Sequence, residues 1–141
     1  MLEGKIGRII FSRIKKDEDL AEAIKERVEK SGVKAGIFIV IGTLKRATLG
    51  YYKEGAYEYI HLDKPLEIAA CMGNIAVDED GETIIHAHIV VADEKGDAFG
   101  GHLMKGSPVS ATAELVIIEA SDVNLKRTFD KTTNLKILNL E

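Results

Sequence analysis

Cysteine is nearly absent. The single Cys71 cannot form a disulfide within the chain, so the fold must rest on its core rather than on a covalent staple. Cys71 lies in "LEIAACMGNIAV", where a small apolar thiol suits a buried position better than a reactive one. Long apolar runs are also missing. None approaches the roughly 20 residues needed to cross a bilayer, and "MLEGKIGRIIFSRIKK" sets charges where a secretory leader has an unbroken apolar core. The expected address is therefore the cytoplasm, with no membrane contact. Positive charge is not in excess: 19 Lys and Arg stand against 23 Asp and Glu, a net charge of −4. A protein whose main task is gripping phosphates carries a basic surface, so this balance disfavours DNA binding. Repeats, low-complexity tracts and linkers are absent, and 141 residues suffice for one core, so a single domain over 1–141 is expected.

What is present reads as one helix among many strands. "KIGRIIFSRI" is a first strand, Lys5 to Ile14. In "DEDLAEAIKERVEKSG", Asp19 caps a helix and Glu22 is placed to reach back and complete a capping box. Leu20, Ala23, Ile24 and Val28 share a face, and Gly32 stops the helix. The apolar run from Gly36 to Ile41 and the mixed run from Leu44 to Tyr52 give two strands with a turn or bulge near Gly42, or one long kinked strand. Further strands follow at Tyr57 to Leu62, "LEIAACMGNIAV", "TIIHAHIVVAD", "AFGGH", "SATAELVIIEA" and Leu135 to Leu140, with a polar loop before the last. One helix and about eight short strands describe an α+β domain on a mostly antiparallel sheet.

The chemistry concentrates in "HAHIVVADEKGDAFGGH". His86 and His88 project from one face of a strand with Ile84 and Val90, while Ile85, Ala87, Ile89 and Val91 take the other. Both faces are apolar outside the histidines, which predicts an interior strand whose imidazoles must find partners. "DEKG" turns the chain back and brings His102 beside the pair. Three neutral imidazoles with a fourth position open form a zinc arrangement, and nickel, copper or iron accept similar ligands. The alternative is that His86 and His88 are core histidines bonded to backbone or carboxylates, with His102 at a loop edge.

Other polar groups carry weaker expectations. Glu114 in "SATAELVIIEA" is a candidate to orient an imidazole, to act as a base on metal-bound water, or to pair with Arg127. Arg127 and Asp130 in "KRTFD" read as a surface pair or polar rim. His61 reads as structural. Tyr51, Tyr52, Tyr57 and Tyr59 cluster, and such strand tyrosines cover a core edge or a subunit contact more often than they stack bases.

"HAHIVVADEKGDAFGGHLMKGSPVSATAELVIIE" resembles the signature of the plants-and-prokaryotes conserved (PPC) domain, in which His-X-His, a turn and Gly-Gly-His precede a strand beginning near Thr-Ala-Glu. "DEDLAEAIKERVEKSGVKAGIFIVIGTLKRATLGYY" and "LEIAACMGNIA" are similar to the family's helix, following strand and middle, so the likeness spans nearly the whole chain. It implies an α+β domain with an antiparallel sheet, assembled as a homotrimer. It also implies that His86, His88 and His102 match histidines that bind a metal, thought to be zinc, near subunit contacts in some prokaryotic members. Plant members join the domain to an upstream AT-hook, and prokaryotic members are often described as candidate DNA-binding proteins on that association. This chain has no Arg-Gly-Arg-Pro element, and its two prolines, Pro65 and Pro108, lie inside the domain.

Three functions follow as expectations. The first is a trimeric assembly or small-molecule-binding module, with regulatory use, holding a metal at the histidines. The second is DNA binding, which would need assembly to collect Lys45, Arg46 and Lys53 into a basic stripe. The third is a metal-dependent hydrolase or lyase, with catalytic residues unidentified beyond Glu114 as a candidate base.

Overall fold

A computed structural model describes residues 1–140. The chain runs β1 (Lys5–Lys15), α1 (Leu20–Ser31), β2 (Gly36–Leu44), β3 (Ala47–Lys53), β4 (Ala56–Leu62), β5 (Leu66–Val77), β6 (Thr83–Ala92), β7 (Ala98–Leu103), β8 (Val109–Ser121), β9 (Lys126–Asp130) and β10 (Leu135–Asn139). Eight strands pair in the order β1-β8-β2-β5-β6-β7-β3-β4, each antiparallel to its neighbour. The β9–β10 hairpin joins the sheet through a parallel bridge from Lys126 to Val77 of β5. This is the expected α+β architecture, with ten strands rather than about eight. The added strand β9 lies in the stretch expected as a polar loop, because its pairing partners β10 and β5 supply the ladder that its own composition does not announce.

The stretch from Gly36 to Tyr52 forms two strands with a bulge at Gly42, as expected, and the break between them falls after Leu44. Gly42 sits at φ 144° where the pairing of β2 slips by a residue, a bulge that leaves β2 continuous to Leu44. The helix is capped by Asp19, whose carboxylate accepts from the Glu22 amide at 3.2 Å, and it ends on Gly32 at φ 74°. The reciprocal half of the expected capping box is absent. Glu22 turns its carboxylate to Lys105 at 2.5 Å, while the second Asp19 oxygen takes the Gly106 and Ser107 amides at 2.8 and 2.9 Å. The cap thereby ties the helix to the connection between β7 and β8.

Leu20, Ala23, Ile24 and Val28 of α1 are buried, in one cluster with Ile14, Phe38, Val40, Ile89, Leu115 and Ile117 of the sheet. At roughly 1.5–3 kcal/mol for each large apolar side chain removed from water, this layer supplies the main drive for folding. Over β2 the opposite face of the sheet has no covering layer among the described residues. Along β2 the alternation is plain: Phe38 and Val40 are fully buried, whereas Ile37, Ile39 and Ile41 are exposed.

Candidate metal centre

β6 is flanked by β5 and β7 and so is interior to the sheet, as expected, but its two faces have different fates. Ala87, Ile89 and Val91 enter the core; His86 is half-buried, and His88 and Val90 are exposed on the uncovered face. The reading of His86 and His88 as sealed core histidines is thereby overturned, since α1 covers only the other side. His102 stands directly opposite His88 across the β6–β7 ladder and is itself paired with Gly50 of β3. Gly50 matters here because a β-carbon on it would fall 2.9 Å from the Tyr57 ring, which instead lies against His102 with centroids 4.7 Å apart.

The three imidazoles meet. One ligand atom from each of His86, His88 and His102 lies within 4.8 Å of the others, and the ring centroids are 5.1, 5.1 and 5.8 Å apart. Nitrogens around a tetrahedral zinc at ~2.1 Å are separated by about 3.4 Å, so small side-chain rotations bridge the difference. Burial, then the neighbouring His86, His88 and Arg127, lowers the pKa of His102 to about 4. Burial, followed by Arg127 and His88, lowers that of His86 as well. Both are therefore neutral near pH 7, the form a metal requires. The donor set, nitrogen only, suits zinc, nickel, copper or iron rather than calcium or magnesium.

Arg127 completes the surroundings. Its side chain comes from β9 and is buried at 6% exposure, donating to His86 Nδ1 at 3.2 Å, Asn74 Oδ1 at 2.8 Å and the Lys136 carbonyl at 2.8 Å. The Tyr57 hydroxyl lies 3.5 Å from His102 Nδ1, and burial raises its pKa, so it remains a hydroxyl. Neither residue has a local sequence signal. Arg127 reaches His86 only through the bridge between β9 and β5, and Tyr57 reaches His102 only through the β4–β3–β7 order.

The remaining candidates lie elsewhere. Glu114 is exposed on β8, opposite Arg13 and Ile41, with β2 and β5 between its strand and β6, and it makes no ion pair with Arg127. Asp130 does not pair with Arg127 either; it accepts from the Thr132 and Thr133 amides in the β9–β10 turn. His61 lies by Thr48 Oγ1 at 3.3 Å and stacks on Tyr59. Lys45 and Lys53 are ion-paired with Asp17 and Glu58, which leaves less free charge for a basic stripe. Among the described residues no helix is long and apolar enough to cross a membrane.

Several known proteins share this fold. A plant- and prokaryote-conserved (PPC) protein from Pyrococcus horikoshii is 31% identical, with a TM-score of 0.89 over 97% of this chain and 94% of that one. The metal-containing protein AF0104 from Archaeoglobus fulgidus is 28% identical, with a TM-score of 0.87 over 97% of this chain and 96% of that one. A candidate DNA-binding protein from Bacteroides thetaiotaomicron, 24% identical with a TM-score of 0.85 over 96% and 94% of the two chains, has the same fold. Among curated proteins, the Bifunctional protein GlmU of Synechococcus sp. (strain JA-3-3Ab) is 29% identical over 135 residues, which are 95% of this chain; the chain spans about a fifth of that relative's length, 21%. The model of the Plants and Prokaryotes Conserved (PCC) domain matches residues 1–121, which hold the helix, strands β1 to β8 and all three histidines, and the chain belongs to that family.

Proposed function

We propose that this protein is a self-associating module that holds a divalent metal, zinc by first choice, on His86, His88 and His102. The observation that carries the reading is the convergence of three imidazoles, two of them held neutral, on an open sheet face instead of inside the core. The description of AF0104 as metal-containing supports it. The fourth position would be left to water or a small ligand.

The assembly half of the reading rests on cross-strand rows. Phe11, Val116, Ile39 and Met72 stand side by side across β1, β8, β2 and β5, and the same row continues into His88 and His102. A parallel row runs Ile9, Ile118, Ile37 and Asn74 to His86. Phe11 is 77% exposed and Met72 61%. A continuous apolar face of this kind marks a contact surface, and a homotrimer, which the family resemblance implies, would bury it with the metal centre at its margin.

DNA binding is the second reading, carried by the name of a related structure and opposed by the net charge of −4 and by the pairing of Lys45 and Lys53. Hydrolase or lyase chemistry would need a base that Glu114 does not supply from within the same chain.

Elemental analysis of untagged protein purified without chelator, beside the His86→Ala/His88→Ala double variant, tests the metal. One metal per chain, lost in a variant that still folds, is the expected result; no metal in either protein refutes it. Light scattering on the same samples reports the assembly.

A further inference from the structure

Arg127 is left unexplained by a three-histidine site. It is buried, bonded to three neutral acceptors, and its Nε has no partner at all. None of the ion pairs among the described residues involves it. A buried guanidinium without a carboxylate is strongly disfavoured by desolvation, and here it stands beside the imidazoles that would hold a second positive charge. It also lines a cavity of about 420 Å³ together with Tyr57, His86 and His102, whose other walls include Ile85 and Leu138.

The bond between Arg127 and His86 sharpens the point. Arginine only donates, so His86 Nδ1 is the acceptor. Once His86 serves as a ligand, that acceptor is lost whichever ring nitrogen coordinates. Coordination by Nδ1 commits the lone pair, and coordination by Nε2 leaves the proton of the neutral ring on Nδ1. Arg127 then holds a free N–H at the cavity, which the Tyr57 side chain also lines, its hydroxyl 3.5 Å from His102 Nδ1.

We infer that the site binds a small organic carboxylate, its charged end held by Arg127 beside the metal and its hydrocarbon body against the apolar walls. This rests on the metal reading above. Arg127 is the determinant of anion binding, and the cavity walls select a carboxylate with a short alkyl chain over a bare oxyanion.

Cobalt(II) in place of zinc gives a visible spectrum that responds to a change of ligand. The expected result is that butyrate shifts the cobalt bands saturably, that butyramide does not, and that phosphate binds at least ten times more weakly than butyrate. Arg127→Met should keep full cobalt stoichiometry and lose at least tenfold in butyrate affinity, with Arg127→Lys falling between. Bands indifferent to butyrate in the wild-type protein would overturn the inference without any variant, and would point to an acidic side chain of a neighbouring copy as the counterion. Unchanged butyrate affinity in Arg127→Met or Arg127→Lys, or phosphate equal to butyrate, would overturn it too. Absence of cobalt bands in the wild type would instead remove the metal reading, and the carboxylate with it.

Discussion

Gly100 and Gly101 are neighbours on β7 and look equivalent in sequence, yet the structure gives them opposite tolerances. Neither adopts positive φ, so space decides. A β-carbon on Gly100 would sit 3.4 Å from the Ile89 oxygen and from Val90 Cγ2, an ordinary contact. On Gly101 it would sit 2.9 Å from the Gly50 oxygen and 3.1 Å from Leu49 Cβ. Leu49 is fully buried, so β3 cannot retreat without opening the core, and β7 must move instead. Overpacking of this kind costs about 1–3 kcal/mol. For a chain near this length that is a fall of roughly 3–10 °C in Tm. Gly100→Ala should be neutral or stabilise by up to about 1 kcal/mol, because the unfolded chain loses freedom. The displacement also carries His102, the next residue, away from His88, so cobalt affinity in Gly101→Ala should drop by about tenfold, or ~1.4 kcal/mol. Thermal melts at one protein concentration, with and without chelator, and a cobalt titration measure both effects. Equal behaviour of the two variants, or wild-type cobalt affinity in Gly101→Ala, would refute the reasoning.

Ile39→Glu places a charge in the middle of the apolar row between Val116 and Met72 and should dissociate the assembly while leaving the monomer folded; light scattering that still reports three copies would contradict the proposed interface. Cys71, 1% exposed and with its thiol pushed up to about 12 by burial, should resist an aromatic disulfide reagent at pH 8 in the native protein and react once per chain in denaturant. The Arg8 hydrogen bond holds Glu119 at about 2, below its ordinary 4.5. A carboxyl whose folded value is depressed adds stability that is complete above its unfolded value and is lost as pH falls through the folded one. Acid melts between pH 4.5 and 2 should therefore show a smaller loss in Glu119→Gln than in the wild type, and parallel curves would count against the pair.

The sequence showed the elements whose signals are local. Asp19 and Gly32 bracket α1 because capping is read from adjacent residues, and His86, His88 and the Gly-Gly-His segment announced their own meeting because one hairpin joins them. Glu22 failed as a capping partner because Lys105, which follows β7, offers its carboxylate a full charge. Arg127 and Tyr57 were illegible as parts of the site for a similar reason. Their neighbours are chosen by the order of strands, which no short window contains.

The burial of β2 and β6 shows a different kind of limit, and it bears on function. "GIFIVI" and "IIHAHIVV" are apolar at every position outside the histidines, the pattern of a strand covered on both faces. In the single chain α1 covers one face, while on the other Ile37, Ile39, Ile41 and Val90 are left in solvent. If the second face met water in the working protein, polar residues would serve better there, as they do on the outward positions of α1. The apolar second face of both strands is accounted for if the layer over it is another copy of the chain. The rows that end at His86, His88 and His102 then place the histidine cluster where that layer begins, so that assembly would shield the centre, and Arg127 with it, from bulk water.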